Sequence, residues 1–355
     1  MMEQAVRAQA EAAKEASYAL AVLRSDVRDA ALHAMATALT EHAAEILQEN
    51  AADVTDAEAA GVRASYIDRL RLTSERIHAM AEGLRLTAAL PDPLGREDYA
   101  VRRPNGLEIH RVRVPLGVVG MIYEARPNVT ADAIGLCLKS GNAVLLRGGS
   151  DALRSNAVIA DVLSRAAYAA GIPAGAVQML AMKERRAVDV MTHLTGLLDV
   201  LIPRGGAGLI RHIVESSSVP VIETGSGVCH IYVDRGADLT MACRIVRNAK
   251  VSRPSVCNAA ETVLVHRDIA AAFLPQMAEQ LRADGVELRG CTDTCAILSD
   301  VAAATEEDWA TEYGDLILSV RVVADMDAAL RHINRYGTGH SEAIVTNGIR
   351  TAHTF

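Results

Sequence analysis

A cysteine in a polar, irregular stretch is the residue of this sequence best suited to covalent chemistry. Cys257 stands in VSRPSVCNAAETVLVH, between a helical and a strand-like segment, with Pro254 and Asn258 flanking it and Arg253 nearby. The thiolate is the form that attacks carbonyl carbon, and a nearby guanidinium favours it. Loop cysteines are also often inert, and spacing assigns no catalytic base, so an ordinary exposed thiol is the competing reading. His230, His266 and His340 are candidates to pair with Cys257, and each also reads as a satisfied or solvated histidine. Cys137 in AIGLCLKSG and Cys243 in TMACRIV follow helical patterns and read as small buried hydrophobes, while Cys229 opens a strand and reads as structural. Cys291 and Cys295 lie four positions apart, but zinc needs a second pair of ligands and none is suitably spaced, so no metal is expected.

Two further segments carry a different chemistry. In RGGSDALRSN, Arg147 ends a strand-like run and Gly148, Gly149 and Ser150 lead into a helix. Bare glycines let backbone N–H groups approach a phosphate, the helix start adds positive potential, and Arg147 is a forked donor suited to a 2′-phosphate. The plainer reading is a turn made by the glycines and a helix capped by Ser150. The arrangement recurs in IPRGGAGLIRHI, where Arg204 follows a strand and Gly205, Gly206 and Gly208 open the next helix. Neither loop completes a G-x-G-x-x-G or P-loop pattern, yet two such loops after successive strands favour a dinucleotide. Asn128 in YEARPNVT either caps a helix or points an amide N–H at a developing oxyanion. Glu223 in IETGSGVCH reads as a base or as a polar strand-end residue.

The elements that must hold these residues follow from pattern. Residues 2–88 are helical by spacing: Ala31, Leu32, Met35, Ala38 and Leu39 line one face, and Thr73 before SERIHAMAEGL is an N-cap. PDPLG at 91–95 breaks this block, and LEIHRVRV at 107–114 reads as one arm of a hairpin opened by Pro104, Asn105 and Gly106. From 116, short apolar runs alternate with helical patterns: LGVVGMIY, NAVLLRG, AVQML, LLDVLIPRG and VPVIE are the strands. That rhythm predicts a parallel sheet with ligands beyond its C-terminal strand ends. A second unit begins near 229 with CHIYVD, followed by ETVLVH, LILSVRVV and EAIVT.

The chain has 355 residues, a formal net charge of −8, and 50% hydrophobic against 3% aromatic residues. Two domains fit that length, and the apolar share excludes disorder. An acidic total disfavours nucleic-acid binding, so any anion is held by local cations. No apolar run spans a membrane, and the N-terminal segment does not read as a signal peptide, so a cytoplasmic protein with free thiols is expected.

At these residues the chain resembles the γ-glutamyl phosphate reductase (glutamate-5-semialdehyde dehydrogenase) family, a branch of the aldehyde dehydrogenase superfamily. The resembling segments are VPLGVVGMIYEARPNVT, GNAVLLRGGS, LIPRGGAGL, ETGSGVCHIYVD, NAKVSRPSVCNAAETVLVH and GTGHSEAIVT, in family order over essentially the whole chain. The resemblance implies an aldehyde dehydrogenase-like α/β fold: an NADP-binding parallel-sheet domain over residues 1–228, including a hairpin oligomerisation arm at about 97–114, and an α/β catalytic domain over 229–355. It implies NADPH-dependent reduction of L-glutamyl 5-phosphate to L-glutamate 5-semialdehyde with phosphate release, in proline biosynthesis, with glutamate 5-kinase as pathway neighbour. By the same resemblance Cys257 is the nucleophile and Asn128 the oxyanion donor. Arg147, Gly148, Gly149 and Ser150, with Arg204, Gly205, Gly206 and Gly208, line the cofactor, and Glu312 in TEYGDLILSV holds the nicotinamide ribose. Arg126, Arg253, His340 and Ser341 are expected substrate contacts.

Family chains run past the HSEAIVT segment into a stretch that completes the catalytic domain and pairs with the partner subunit's arm. Here the sequence stops at Phe355, so the arm is expected to lack its mate and to present an open edge, with homo-oligomers forming if it finds a partner. The competing functions are another aldehyde dehydrogenase, which needs a water-activating base beside the thiol, and a catalytically idle nucleotide-binding protein.

Overall fold

The computed structural model describes residues 2–124, 126–223 and 225–355, in two compact units, Met1–Thr224 and Gly225–Phe355. In the first, helices Met2–Ala21, Ser25–Glu41, Ala43–Ala59, Ala64–Leu70 and Ser74–Ala89 precede the sheet. Their apolar faces follow the expected spacing, with one difference: Ala36, not Ala38, joins Leu32, Met35 and Leu39 in the core, because position 36 lies one turn from Leu32. Thr73 caps the fifth helix as expected, its hydroxyl accepting from the Arg76 N–H at 3.2 Å.

Strands β1 (Glu97–Arg102) and β2 (Glu108–Val112) form an antiparallel hairpin exposed along nearly its whole length. At its tip the Arg103 N–H donates to the Leu107 carbonyl at 2.7 Å, and Gly106 turns at φ 88°, a left-handed conformation that favours glycine. Strands β3 (Val118–Tyr123), β4 (Ala143–Arg147), β5 (Val177–Met179) and β6 (Val200–Arg204) make a parallel sheet in the order β5-β4-β3-β6. The chain runs outward from β3 to β5 and then returns to β6 on the other side of β3. The crevice where strand order reverses therefore opens between the C-terminal ends of β3 and β6. The strand expected at 219–223 is only a single bridge, Val221 to Leu201. Pro220 offers a carbonyl to Leu201 but has no N–H with which to extend the ladder.

The second unit holds β7 (Cys229–Val233), β8 (Ala260–His266), β9 (Glu287–Gly290), β10 (Ala302–Ala303), β11 (Ile317–Val323) and β12 (Glu342–Val345). All pair in parallel, in the order β10-β9-β11-β8-β7-β12. Sequence reading found β7, β8, β11 and β12 but not β9 and β10, which are four and two residues long and too short to stand out as apolar runs. Strands β7 and β8 are buried at every position, and Val263, Val265, Phe273 and Leu274 form part of the unit's core.

Candidate active site

In the second unit the candidate residues gather at the N-terminal edge of the sheet. Cys229 is the first residue of β7, Cys257 lies in the turn before β8, Glu312 precedes β11, and His340 and Ser341 precede β12. Parallel strands start on the same edge, so residues more than a hundred positions apart meet there. The Cys257 turn is closed by backbone bonds from Val256 to Arg253 and from Ala259 to Val256. Cys257 is exposed; Cys137, Cys229 and Cys243 are buried, and Cys291 and Cys295 lie between these extremes. Burial pushes the Cys137 thiol up to about 12 and the Cys229 thiol up to about 11.

Two neighbours fix the Cys257 backbone. The Cys229 thiol donates to the Cys257 carbonyl at 3.2 Å. Gly227 packs so closely that a methyl group there would stand 1.9 Å from the same oxygen. The Gly227 N–H in turn donates to Glu312 Oε2 at 3.0 Å, which ties the glutamate to the strand entering β7. His340 Nδ1 lies 2.8 Å from Ser341 Oγ and 3.7 Å from Cys229 Sγ. Of the three histidines named as partners for Cys257, His340 is linked to this edge through the Cys229 sulfur. His230 is buried on β7 against Glu342 at 3.1 Å. His266 is at the opposite end of β8, where it accepts the Asp268 N–H as a helix cap, so it cannot pair with Cys257. Arg253 is exposed on the thiol's own turn.

Two buried clusters hold this edge. Lys250, near the end of helix Leu239–Val251, meets Glu261 of β8 at 2.6 Å, both side chains being essentially inaccessible. Burial pushes the Glu261 carboxyl up to about 7 against the pull of Lys250, and its second oxygen accepts the Gly314 N–H at 3.1 Å. On the far side of the same loop, Asp308 accepts from Arg289 at 2.7 Å, from the Thr305 N–H at 2.6 Å and from the Tyr313 hydroxyl at 2.8 Å. Glu312 is thus carried by a loop fastened on both sides.

The first unit presents its candidates at C-terminal strand ends, as the sequence predicts for a parallel sheet. Arg147 ends β4 and is 8% exposed; its Nε has no partner and one terminal nitrogen lies 3.5 Å from the Lys183 carbonyl. Burial, and then the like charge of Arg185, weaken its hold on the proton. A methyl on Gly148 would stand 2.1 Å from Asn156 Nδ2. That amide belongs to a buried chain in which the Tyr123 hydroxyl meets Thr130 at 2.7 Å and Thr130 donates to Asn156 Oδ1 at 3.0 Å. Ser150 is not the cap of the following helix: Leu153–Ala169 is preceded by a 3₁₀ turn, Ser150–Ala152, and the Ser150 hydroxyl donates to Asp151 at 3.1 Å. A cavity of about 270 Å³ beside it is lined by Asp53, Asp56, Asp151, Arg154 and Lys183, and its three carboxylates disfavour phosphate.

At the β3/β6 crevice the Gly206 N–H already has an acceptor. Glu124 reaches it at 3.0 Å, and a methyl on Gly205 would stand 2.8 Å from the same carboxyl carbon. Arg204 is exposed at the end of β6 and its carbonyl accepts the Glu124 N–H, while Gly208, one residue into helix Ala207–Ser216, has open space around it. Asn128 does not cap its helix. Pro127 occupies the cap position, and the Asn128 amide donates to Asp132 at 3.2 Å. Arg126 is half-buried, its N–H donating to the Glu124 carbonyl at 2.7 Å.

A family model described as the aldehyde dehydrogenase family matches residues 1–310. A γ-glutamyl phosphate reductase from Caldanaerobacter subterraneus subsp. tengcongensis is 56% identical over 350 residues, covering 99% of this chain and 84% of the relative. The chain belongs to the γ-glutamyl phosphate reductase family of aldehyde dehydrogenases. The reductase from Moorella thermoacetica is likewise 56% identical over 350 residues, with the same coverage of both chains. The crystal structure of the Thermotoga maritima γ-glutamyl phosphate reductase superposes with a TM-score of 0.91 at 45% identity, over 99% of this chain and 84% of that one.

The expected aldehyde dehydrogenase-like α/β fold is therefore the observed one, and the protein is an oxidoreductase of the glutamate-5-semialdehyde dehydrogenase kind, a family that works with a nicotinamide cofactor and a small-molecule substrate. No helix among the described residues is long and apolar enough to cross a membrane, and no group of three His, Cys, Asp or Glu side chains among them is placed to hold a metal ion. Sequence reading missed Gly227, Lys250, Glu261 and Arg185. Gly227 lies in the quoted ETGSGVCH segment, where Glu223, Cys229 and His230 drew readings and the glycines did not. A glutamate opening the apolar strand run after the Cys257 loop, with a lysine before that loop, was the available signal for the buried pair.

Proposed function

We propose that this protein reduces L-glutamyl 5-phosphate to L-glutamate 5-semialdehyde with NADPH, through a thioester on Cys257, as a step of proline biosynthesis. The observation that carries the reading is the exposure of Cys257 on a turn whose backbone is packed against Gly227. The Cys257 thiolate attacks the acyl carbon, the S–C bond forms, and the C–O bond to phosphorus breaks with loss of phosphate. Because phosphate leaves in that step, no water-activating base is needed, and Glu223 has no catalytic part. Asn128 is the oxyanion donor of this reading: one N–H of its amide serves Asp132 and the other remains to stabilise the developing charge. Such a donor contributes ~3 kcal/mol to acyl transfer. When the aldehyde forms, the carbonyl closes and the S–C bond breaks to regenerate the thiolate.

The first unit fits the nicotinamide dinucleotide this requires. Arg147 is buried with an unpartnered Nε beside Arg185, and this positive pair suits the 2′-phosphate of NADP over the bare ribose of NAD. Gly148, Gly149 and Ser150 form the rest of that strand end, and Arg204, Gly205, Gly206 and Gly208 the second. At the second, Glu124 must yield the Gly206 N–H for a pyrophosphate to take it. Glu312 would hold the nicotinamide ribose from its fastened loop. The bound cofactor supplies a hydride; the chain's residues orient it. Residues 1–228 are then the cofactor domain and 229–355 the catalytic one.

Arg126, Arg253, His340 and Ser341 are the proposed contacts to the phosphate and the amino-acid end of the substrate. An acyl phosphate of glutamate must be made by a kinase acting on the side-chain carboxylate, so glutamate 5-kinase is the pathway neighbour. The exposed hairpin of β1 and β2, bearing Tyr99 and Ile109, is the proposed surface for self-association. The test is the reverse reaction: NADP reduction that depends on both glutamate semialdehyde and phosphate. Cys257→Ser is expected to abolish it while binding NADPH; near-normal turnover in that variant removes the covalent route, and semialdehyde oxidation without phosphate would assign a hydrolytic aldehyde dehydrogenase.

A further inference from the structure

Cys229 takes no part in the reaction above, yet its sulfur lies against the nucleophile's own residue. The thiol donates to the Cys257 carbonyl at 3.2 Å, and the same sulfur stands 3.7 Å from His340 Nδ1. The backbones also run in contact, since a methyl on Gly227, two residues before Cys229, would stand 3.1 Å from Cys257 Cα. Carbonyl and thiol of Cys257 are attached to one Cα, so a sulfur bonded to the first is within a side chain's reach of the second. Cys257 is exposed and has room to turn about χ1. We propose that Cys229 is a resolving thiol, which captures Cys257 as an intramolecular disulfide after a hydroperoxide has oxidised it.

The step balances without a metal or cofactor. The Cys257 thiolate attacks one oxygen of the hydroperoxide; the O–O bond breaks, an S–O bond forms, and the peroxide is reduced as hydroxide or alkoxide departs. Cys229 sulfur then attacks the sulfenic sulfur, giving up its proton to His340 Nδ1. The S–S bond forms, the S–O bond breaks, and the departing hydroxide takes up a proton as water. Burial holds Cys229 protonated at neutral pH, so oxidation starts at the exposed sulfur and the buried one only resolves it. The consequence is protection: a disulfide is returned by a dithiol, whereas sulfinic acid at Cys257 is not.

The experiment uses the full chain, treated with a small excess of hydrogen peroxide, blocked with a thiol reagent and digested for mass spectrometry. The expected product is a Cys229–Cys257 cross-linked peptide, lighter by two hydrogens than the paired thiols, with lost turnover restored by dithiothreitol. Cys229→Ala, read against its own turnover before treatment, is expected to carry sulfinic acid at Cys257 and to recover almost nothing; Cys229→Ser keeps the size and the bond to the carbonyl if alanine impairs folding. Peroxide-treated wild-type protein bearing only sulfenic or sulfinic acid at Cys257, or linking it to another cysteine, overturns the proposal. So does recovery of either variant as complete as that of the wild type. The cross-link is read as mass and does not depend on the substrate, so failure of the semialdehyde assay and failure of this pairing are separate results.

Discussion

Cys257 owes its placement to a residue with no side chain. A methyl on Gly227 would meet backbone, not a flexible side-chain end, at 1.9 Å from the Cys257 oxygen and 2.8 Å from its carbonyl carbon. The turn must therefore shift to accept even alanine. Gly227→Ala is expected to lower turnover about a hundredfold, the usual cost of displacing a reacting group by an ångström, while the far-ultraviolet circular dichroism stays that of the parent. Unchanged turnover in that variant would mean the turn relaxes freely and the packing is not functional. The thiol itself was legible in sequence because an irregular polar segment separates it from both flanking elements. Gly227 was not, since nothing local distinguishes a glycine that makes a turn from one that admits a neighbour's carbonyl.

At the scale of elements, helix Leu239–Val251, strand β8 and the loop carrying Glu312 are joined by one buried ion pair. Lys250 and Glu261 are sealed from water, and Glu261 also accepts the Gly314 N–H. Removing one partner leaves an uncompensated buried charge, which costs about 3–5 kcal/mol, whereas replacing both by apolar residues is often neutral. Lys250→Met is thus expected to lower the urea midpoint substantially, and Lys250→Met with Glu261→Leu to regain part of it. A double variant no better than the single one would show that the Gly314 contact, not the charge pair, is what matters. Strands and helices here were readable from periodicity, and β3, β4, β7 and β8 lie where their apolar runs put them. The exceptions have physical causes: Pro220 interrupts the ladder at 219–223, β9 is only four residues long, and β10 is two exposed residues.

For the whole molecule, acid is the perturbation to which the second unit should respond. His332 is pushed down to about 3 by burial, with the like charges of His230 and Arg321 adding to it. An unfolded histidine ionises near 6.5, so between about pH 6.5 and 3 the unfolded chain binds the more protons and stability falls as pH falls. Asp308 continues the decline: although burial opposes ionisation, the Thr305 N–H and Arg289 hold its carboxyl well below the ordinary range. Its contribution is whole above the unfolded carboxylate value, about 3.9, and is lost as pH drops toward the folded one. Urea titrations at pH 7, 5 and 4 are expected to give steadily lower midpoints, and His332→Gln to flatten that fall; midpoints flat across the range would refute the His332 assignment. By itself the sequence determined the chemistry on offer, a loop thiol and two glycine-lined strand ends, and the alternating elements that make a parallel α/β fold, because residue type and local period are properties of short segments. Only the tertiary structure decided that the second unit gathers Cys257, Glu312 and His340 at its N-terminal edge. It alone also set Glu124 on the Gly206 N–H and Cys229 on the Cys257 carbonyl, since strand order and close packing join residues that no spacing along the chain relates.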